Sequence, residues 1–189
     1  MRTTIIWKGI FYQSLEHCVL TDRGLGYEIS STINGSHKNQ IFKTEYHIKT
    51  NKSWETEFLT LRTQLNDSIE TLTLEKKQGR WLLNDRPNDA LSNIFDIDLS
   101  LSPLTNTLPI NRLQLKVNQQ QTIEVLYFDI LKKEIRPVKQ LYTRKAIDQY
   151  LYENYDKSFI SEINIDEQGL VTDYPKLFKM TNKHIGRII

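Results

Sequence analysis

Apolar and polar residues alternate along much of this chain, and the alternation constrains the fold more than any other feature. In residues 40–50, Phe42, Thr44, Tyr46 and Ile48 share one face, and most of the intervening residues are charged. Because successive side chains of a β-strand point to opposite faces, this pattern predicts one long strand with one apolar face. Further strands are predicted at residues 6–11, 15–21, 27–31, 54–61, 69–75, 80–83, 122–130, 138–143, 147–155, 159–165 and 170–174.

Short turn signals separate the predicted strands. Asp22-Arg23-Gly24 supplies one turn, and Asn34-Gly35-Ser36 is typical of a two-residue hairpin. Parallel pairing needs a crossover of about a dozen residues or more, which the chain rarely offers, so we expect an antiparallel meander. Because twist accumulates in a many-stranded sheet, a large, strongly curved sheet should form a half-barrel or an incomplete barrel.

The chain length and the strand pattern together predict one all-β domain over residues 1–189. A chain of this length buries about 70% of its unfolded surface, which is enough for a single sizeable core. Little helix is expected. The two helix candidates are a turn at residues 108–113 and the C-terminal residues 176–189.

Local rules conflict in the middle of the chain, at residues 95–113. The stretch begins as a strand of alternating apolar and polar residues, but Pro103, Asn106 and Pro109 then interrupt a regular ladder. We expect Arg112 to open the following strand. Polar groups in such a stretch must find partners, so it is a candidate site.

Charge and composition exclude several functions. Lys and Arg number 25 against 23 Asp and Glu, without a long block of one sign, so no nucleic-acid partner is expected. Cys18 is the single cysteine, which fits a reducing compartment. The N-terminus lacks the roughly 7–15 apolar residues of a signal peptide, and no run approaches the ~18 of a transmembrane helix. These features predict a soluble cytoplasmic protein; they indicate no cofactor and leave the oligomeric state open.

Asp96 and Asp98 are candidate functional residues because strand alternation places them on one face, roughly 7 Å apart. The pair could act as general acid and base, or bind a cation with Asn106 as a further ligand. Alternatively, the two aspartates cap the following turns and pair with Arg112, as buried carboxylates must find partners.

Glu16, His17 and Cys18 carry side chains that can ligate zinc, but they do not predict a metal site. On a strand, Glu16 and Cys18 face one way and His17 the other, so the three cannot converge on one ion. Cys18 is interpreted as a small buried hydrophobe, and Glu16, on the same face, is expected to be drawn inward.

Aromatic residues along the strands are the best indication of a ligand surface, because sugar rings and acyl chains both pack on aromatic faces. Packing between the sheet and its covering elements is the alternative interpretation, and the pattern alone does not separate the two. The aromatic residues assigned to the ligand surface are Trp54, Trp81, Tyr142 and Tyr174.

Several motifs distributed along the chain are characteristic together. They are Leu15-Glu16-His17-Cys18, Trp54, Gly79-Arg80-Trp81-Leu82, Asp96-Ile97-Asp98-Leu99, Ser102-Pro103, Thr105-Asn106-Thr107-Leu108-Pro109-Ile110, Arg112-Leu113, Gln140-Leu141-Tyr142, Asp166, and Gly169 to Pro175. Over nearly its whole length, the chain resembles the putative glycolipid-binding family, formerly a bacterial domain of unknown function. The resemblance implies a bacterial cytoplasmic protein with a large curved antiparallel sheet, similar in shape to lipoprotein carriers and lipid-binding half-barrels. Asn111 departs from the family pattern, which has a second basic residue before Arg112.

The expected function is binding of a lipid-like or glycolipid-like ligand on the concave face of the curved sheet. A hydrolase that uses Asp96 and Asp98 as acid and base is one alternative, and a non-catalytic interaction protein that pairs through its sheet edge is another. No catalytic residue is assigned, because the chain matches no nucleophile motif or Gly-rich phosphate loop. The residues expected to bind the ligand are Glu16, Trp54, Trp81, Asp96, Asp98, Asn106, Arg112, Tyr142 and Tyr174.

Overall fold

A computed structural model describes residues 1–186 of the chain. It contains one large sheet, one α-helix and a short 3₁₀ helix at Asp89–Leu91. The α-helix, α1, spans Leu104–Leu113. The strands are β1 (Arg2–Gly9), β2 (Ser14–Asp22), β3 (Gly26–His37), β4 (Gln40–Asn51), β5 (Thr56–Leu65), β6 (Ser68–Lys77), β7 (Arg80–Leu83), β8 (Arg86–Pro87), β9 (Asp96–Leu99), β10 (Gln120–Asp129), β11 (Glu134–Ala146), β12 (Gln149–Asn154), β13 (Ile160–Ile165), β14 (Val171–Tyr174) and β15 (Phe178–Gly186).

The alternation of apolar and polar residues produces these strands as predicted. In β4, Phe42, Thr44, Tyr46 and Ile48 are buried, whereas Ile41 on the opposite face is 71% exposed. Strand β4 therefore contributes one face to the core and turns the other toward solvent.

The strands form a single sheet in the order β8-β7-β6-β5-β4-β3-β2-β1-β15-β14-β13-β12-β11-β10-β9. The strand at each end of this order pairs on one side only, so the sheet is not closed into a barrel. It curls far enough for distant strands to meet, since Lys133 forms an ion pair with Glu70 and the Thr56 N–H donates to the Phe95 carbonyl at 2.9 Å. The predicted all-β fold with an incomplete barrel is confirmed.

Helix α1 lies inside the curl. Every residue from Leu104 to Ile110 is buried, and Asn111, Arg112 and Leu113 at the end of the helix are half-buried. The expected turn at residues 108–113 is confirmed as the second half of α1. The expectation that Arg112 opens a strand is wrong, because Arg112 lies in the last helical turn.

The antiparallel meander has one exception, the pairing of β9 with β10, which is parallel. Parallel neighbours need a long crossover, and α1 supplies it. The sequence did not predict the whole helix, because Pro103 and Pro109 locally favour turns. Pro103 instead takes the N-cap position, and Pro109 is accommodated in the buried part of the helix.

Two further local predictions are wrong. Asn34-Gly35-Ser36 is not a hairpin, because β3 continues to His37 and the chain turns at Lys38, which has a φ of 53°. A Cβ at Gly35 would lie 2.6 Å from both Phe42 Cζ and Ser14 Cβ, so this glycine permits close packing within the sheet. The C-terminal helix predicted at residues 176–189 is instead strand β15, whose pairing with β1 joins the two halves of the sheet. Residues 187–189 lie outside the described residues.

Neither helix in the described part of the chain is long and apolar enough to cross a membrane.

Candidate ligand-binding cleft

A large cleft lies between the C-terminal half of the sheet and the start of α1. Its volume is about 810 Å³, which falls within the ~300–1,000 Å³ of typical small-molecule sites. Residues of β11 and β12 line one part of it, and the β1–β2 and β14–β15 turns line another. The β12–β13 turn, Tyr127 of β10, the end of β9 and the first turn of α1 complete the lining.

Aromatic rings form a continuous row along this cleft. Between ring centroids, Tyr12 lies 6.4 Å from Phe178, and Phe178 lies 6.3 Å from Tyr174. Tyr152 lies 6.2 Å from Tyr174 and 6.0 Å from Phe159. These separations are those of directly interacting rings, so the row is one connected apolar surface. The aromatic residues that line the cleft are Phe11, Tyr12, Tyr127, Tyr152, Tyr155, Phe159, Tyr174 and Phe178.

Three linked polar residues, Asp98, Asn106 and Gln140, form what we call the cleft floor. Gln140 Nε2 donates to Asp98 Oδ2 at 2.7 Å, and Thr105 Oγ1 donates to Asp98 Oδ1 at 3.1 Å. The Tyr142 hydroxyl donates to Asn106 Oδ1 at 3.0 Å. Asn106 and Gln140 are buried and Asp98 is half-buried, so burial raises the pKa of the Asp98 carboxyl. This network fixes the position of each polar group before a ligand arrives.

Four tyrosines of the cleft lie near the charge of Asp98. Burial is the main cause of the raised pKa values of Tyr127, Tyr152 and Tyr174, and the Asp98 carboxylate contributes in each case. Burial and carboxylates that include Asp98 also raise the pKa of Tyr12, to about 12. All four phenols therefore carry their protons at neutral pH and can donate hydrogen bonds.

Charged and apolar groups are mixed at the outer edge of the cleft, which we call the cleft mouth. Lys139 Nζ lies 5.4 Å from the centre of the Tyr155 ring, and the Arg136 guanidinium lies 5.7 Å from that of Tyr127. Such placements give weak cation–π attraction at exposed sites. The residues of the cleft mouth are Phe11, Arg136, Lys139, Tyr155, Phe159 and Lys176, all of them exposed.

Asp96 shares a strand face with Asp98 but has a different partner. Arg112 Nε lies 3.1 Å from both Asp96 oxygens, and Arg112 Nη2 lies 2.5 Å from Oδ2. Helix α1 runs back along β9, so Thr105 in its first turn meets Asp98 and Arg112 in its last turn meets Asp96. Asp96 is 0% exposed, and its burial raises the pKa against the opposing effect of Arg112. Neither Asp96 nor Arg112 lines the cleft.

Glu16 is buried in a hydroxyl cluster on the side of Ser102 away from the cleft. Its Oε1 accepts hydrogen bonds from Tyr46 at 2.6 Å, Ser31 at 2.8 Å and Ser102 at 2.9 Å. Burial raises the pKa of Glu16 to about 7, although the three donors favour the charged form. Ser102 itself lines the cleft, so the cluster supports the cleft from behind.

Trp54, in the turn between β4 and β5, and Trp81, in β7, lie in the N-terminal half of the chain and away from the cleft. Trp54 stacks on Tyr27 with 3.8 Å between ring centroids. Trp81 is 1% exposed, and its indole N–H donates to the Ile94 carbonyl at 3.0 Å. Both tryptophans pack in the core cluster of that half.

The structure brings three of the nine sequence-predicted site residues into the cleft, Asp98, Asn106 and Tyr174. Tyr142 contacts the cleft floor from behind through its hydroxyl. Glu16 contacts the cleft indirectly, through Ser102. The structure does not place the other four, Trp54, Trp81, Asp96 and Arg112, at the cleft.

Sequence reasoning missed Gln140 and Tyr12 as cleft residues. Gln140 belongs to the Gln140-Leu141-Tyr142 motif noted in the sequence, but its contact with Asp98 spans 42 positions in the chain. Tyr12 lies in the β1–β2 turn, where no periodic pattern indicates which way a side chain points. The alternation in β12 identifies Tyr150 and Tyr152 as sharing a face but does not show that only Tyr152 reaches the cleft.

No cluster of three or more His, Cys, Asp or Glu side chains able to hold a metal ion occurs among residues 1–186.

The fold and the cleft define a class of protein, in which an open, mostly antiparallel sheet curls around a central helix and leaves an aromatic cleft with a polar floor. Residues 4–180 match the family described as "Putative glycolipid-binding", and the chain belongs to this family. The crystal structure of a DUF1089 family protein from Pseudomonas aeruginosa is similar, with a TM-score of 0.77 and 30% identity. The similarity covers 87% of this chain and 91% of that one. No curated protein matches the chain.

Proposed function

We propose that the protein binds a lipid-like or glycolipid-like amphiphile in the cleft. The observation that carries this proposal is the combination, in one cavity of about 810 Å³, of a continuous aromatic row with a fixed polar floor. Apolar surface supplies most of the binding free energy in such sites, and a few placed polar groups set orientation and specificity. The family description supports a binding role of this kind.

The experiment that tests this proposal uses an uncharged fluorescent probe, N-phenyl-1-naphthylamine, whose emission rises in an apolar site. We expect the probe to bind the wild-type protein and to be displaced by an alkyl glycoside. Phe159→Ala should weaken binding because it removes a ring that lines the cleft. Phe159 is 38% exposed, so its loss costs little folding stability.

Phe95→Ala is the matched control for that experiment. Phe95 is 36% exposed, close to the value for Phe159, but it lies outside the cleft and contacts Arg112. Its removal should leave probe affinity unchanged. Equal loss of affinity in the two variants, or no saturable binding to the wild type, contradicts the proposal.

A hydrolase is a second candidate, favoured by the position of Asp98 in the cleft and by the burial that raises its pKa. An acid–base pair with Asp96 has less support, since both oxygens of Asp96 contact Arg112. Release of nitrophenol from nitrophenyl glycosides tests this function. A hydrolase predicts turnover that Asp98→Asn abolishes, whereas a binding protein predicts none.

We also propose that the protein acts in the bacterial cytoplasm. The single thiol, Cys18, is fully buried and its pKa is raised by burial, which suits a reduced structural cysteine. Localisation of a fluorescent fusion in a bacterial cell tests this, with diffuse cytoplasmic signal expected and a periplasmic or envelope signal contradicting it.

A further inference from the structure

Several hydroxyl and amide groups of the cleft can donate a hydrogen bond and have no partner in the portion of the protein that the structure describes. Within residues 1–186, the hydroxyls of Tyr12, Tyr127, Tyr152 and Tyr174 form no hydrogen bond to another side chain. Asn106 Nδ2 likewise has no acceptor in the described part of the chain, because only its Oδ1 is engaged, by Tyr142. The fully buried side-chain polar atoms that lack a partner among the described residues lie outside the cleft lining, at Glu16 Oε2, Thr56 Oγ1 and Thr107 Oγ1. The cleft donors are therefore open to whatever occupies the cleft.

The acceptors of the cleft floor are the Asp98 carboxylate and Gln140 Oε1, which shares the single Tyr142 proton with Asn106 Oδ1. Each Asp98 oxygen already accepts one hydrogen bond, from Gln140 or Thr105, and each retains a second lone pair. A ligand that satisfies this region must therefore both accept from several O–H and N–H groups and donate to a carboxylate. Hydroxyl groups do both at once.

Charge and hydrogen bonding favour a hydroxyl-bearing headgroup over charged headgroups. The basic side chains that line the cleft, Arg136, Lys139 and Lys176, lie at the cleft mouth. A phosphate or sulfate at the cleft floor would instead lie against the Asp98 carboxylate, and like charges at short distance repel strongly in a water-poor site. A quaternary ammonium would suit the carboxylate and the rings, but it has no acceptor for the tyrosine and asparagine donors. Unmatched donors in a desolvated site cost binding free energy.

Exposure gives the direction of the apolar part of the ligand. Asn106, Gln140, Tyr152 and Tyr174 at the inner end are buried, whereas Phe11 and the other rings of the cleft mouth are exposed. Apolar surface left exposed beside a polar-floored cavity is suited to cover an acyl chain that extends outward.

We propose, resting on the function proposed above, that the amphiphile binds with its headgroup inward. The headgroup is an uncharged polyhydroxyl unit, such as a hexosyl group, that contacts Asp98, Asn106 and the tyrosine hydroxyls. The apolar chain leaves across the rings of the cleft mouth.

Isothermal titration calorimetry with three probes of equal tail length tests this orientation. The probes are octyl β-glucoside, octyl sulfate and octyltrimethylammonium, each kept below its critical micelle concentration. The inward headgroup predicts tightest binding of the glucoside. Equal affinity for all three overturns the inference but leaves the proposed function standing, because the tail alone would then enter the cleft. Tightest binding of the ammonium or the sulfate also overturns it, and no binding of any probe overturns both.

Substitutions that remove one oxygen and keep the ring locate the headgroup. Tyr152→Phe and Tyr174→Phe should each weaken octyl glucoside binding by about 2- to 10-fold, the effect of one lost hydrogen bond, while leaving octyl sulfate binding unchanged. Tyr155→Phe at the exposed cleft mouth is the matched control and should change neither affinity. Unchanged glucoside affinity in both inner variants, with melting temperatures like the wild type, overturns the inference.

Discussion

Arg112→Ala should destabilise the fold by leaving Asp96 buried without its cation. Asp96 is 0% exposed, and three short N–O contacts join it to Arg112. Removing one partner of a buried ion pair costs about 3–5 kcal/mol. The Arg112 side chain is 17% exposed, so water can reach the ion pair. We therefore expect a destabilisation at the lower end of this range, about 3 kcal/mol.

Urea unfolding and thermal melting both measure this effect. For a chain of this length, about 3 kcal/mol corresponds to a fall of roughly 6–12 °C in melting temperature. The matched control is Arg80→Ala, which breaks the Arg80–Asp89 pair whose side chains are 63% and 75% exposed. Exposed pairs contribute about 0–1 kcal/mol, so this variant should melt close to the wild type.

The pH dependence of the Arg112→Ala defect gives a second check. Burial raises the pKa of Asp96, and Arg112 opposes that rise, so the pKa should go still higher in the variant. A carboxyl with a raised folded-state pKa destabilises the fold as the pH rises through that value and ceases to do so once it is protonated. The defect should therefore shrink from neutral to mildly acidic pH. A variant that melts within about a degree of the wild type at neutral pH shows that Asp96 is not left as an unpaired buried charge, since breaking a buried ion pair costs more than that.

Three further predictions concern other parts of the molecule. Burial raises the pKa of Glu16 from 4.5 to about 7, so the unfolding free energy of the wild type should fall by about 3 kcal/mol as the pH rises across that interval. Urea unfolding of Glu16→Gln should lack this dependence on pH, and an unchanged dependence contradicts the raised pKa of Glu16. Gly35→Ala should lower the unfolding free energy by about 1–3 kcal/mol because its Cβ would overlap Phe42 and Ser14, whereas Gly79→Ala, with open space around it but a φ of 80°, tests backbone strain alone. EDTA should leave the melting curve unchanged; a metal-dependent shift in melting temperature would instead support a cation site at Asp98.

The sheet could be predicted from the sequence because its signal is local. The alternation in β4 needs only the adjacent residues, and it correctly separated buried Tyr46 from exposed Ile41. Helix α1 could not be predicted in full, because its stability comes from the burial of residues Leu104 to Ile110 rather than from helix propensity. Pro103 and Pro109 favour a turn locally, and only the surrounding sheet makes a helix the better solution.

The candidate site was harder to predict because it is built from long-range contacts. Strand alternation correctly placed Asp96 and Asp98 on one face, yet helix α1 gives one of them an arginine and the other a cleft. That difference depends on how α1 lies along β9, which no local pattern encodes. The same limit applies to Gln140, since the register of β11 decides that it meets Asp98.

Native mass spectrometry of the protein purified from bacterial cells, followed by organic extraction, is the most direct test of ligand binding in the cleft. Ligand binding in the cleft predicts an added mass on the wild type, released by organic solvent as an amphiphile with an apolar chain and an uncharged sugar headgroup. Phe159→Ala should carry less of it and Phe95→Ala as much as the wild type. A wild-type protein that stays free of added mass, even after incubation with a total bacterial lipid extract, would contradict binding of an amphiphile in the cleft.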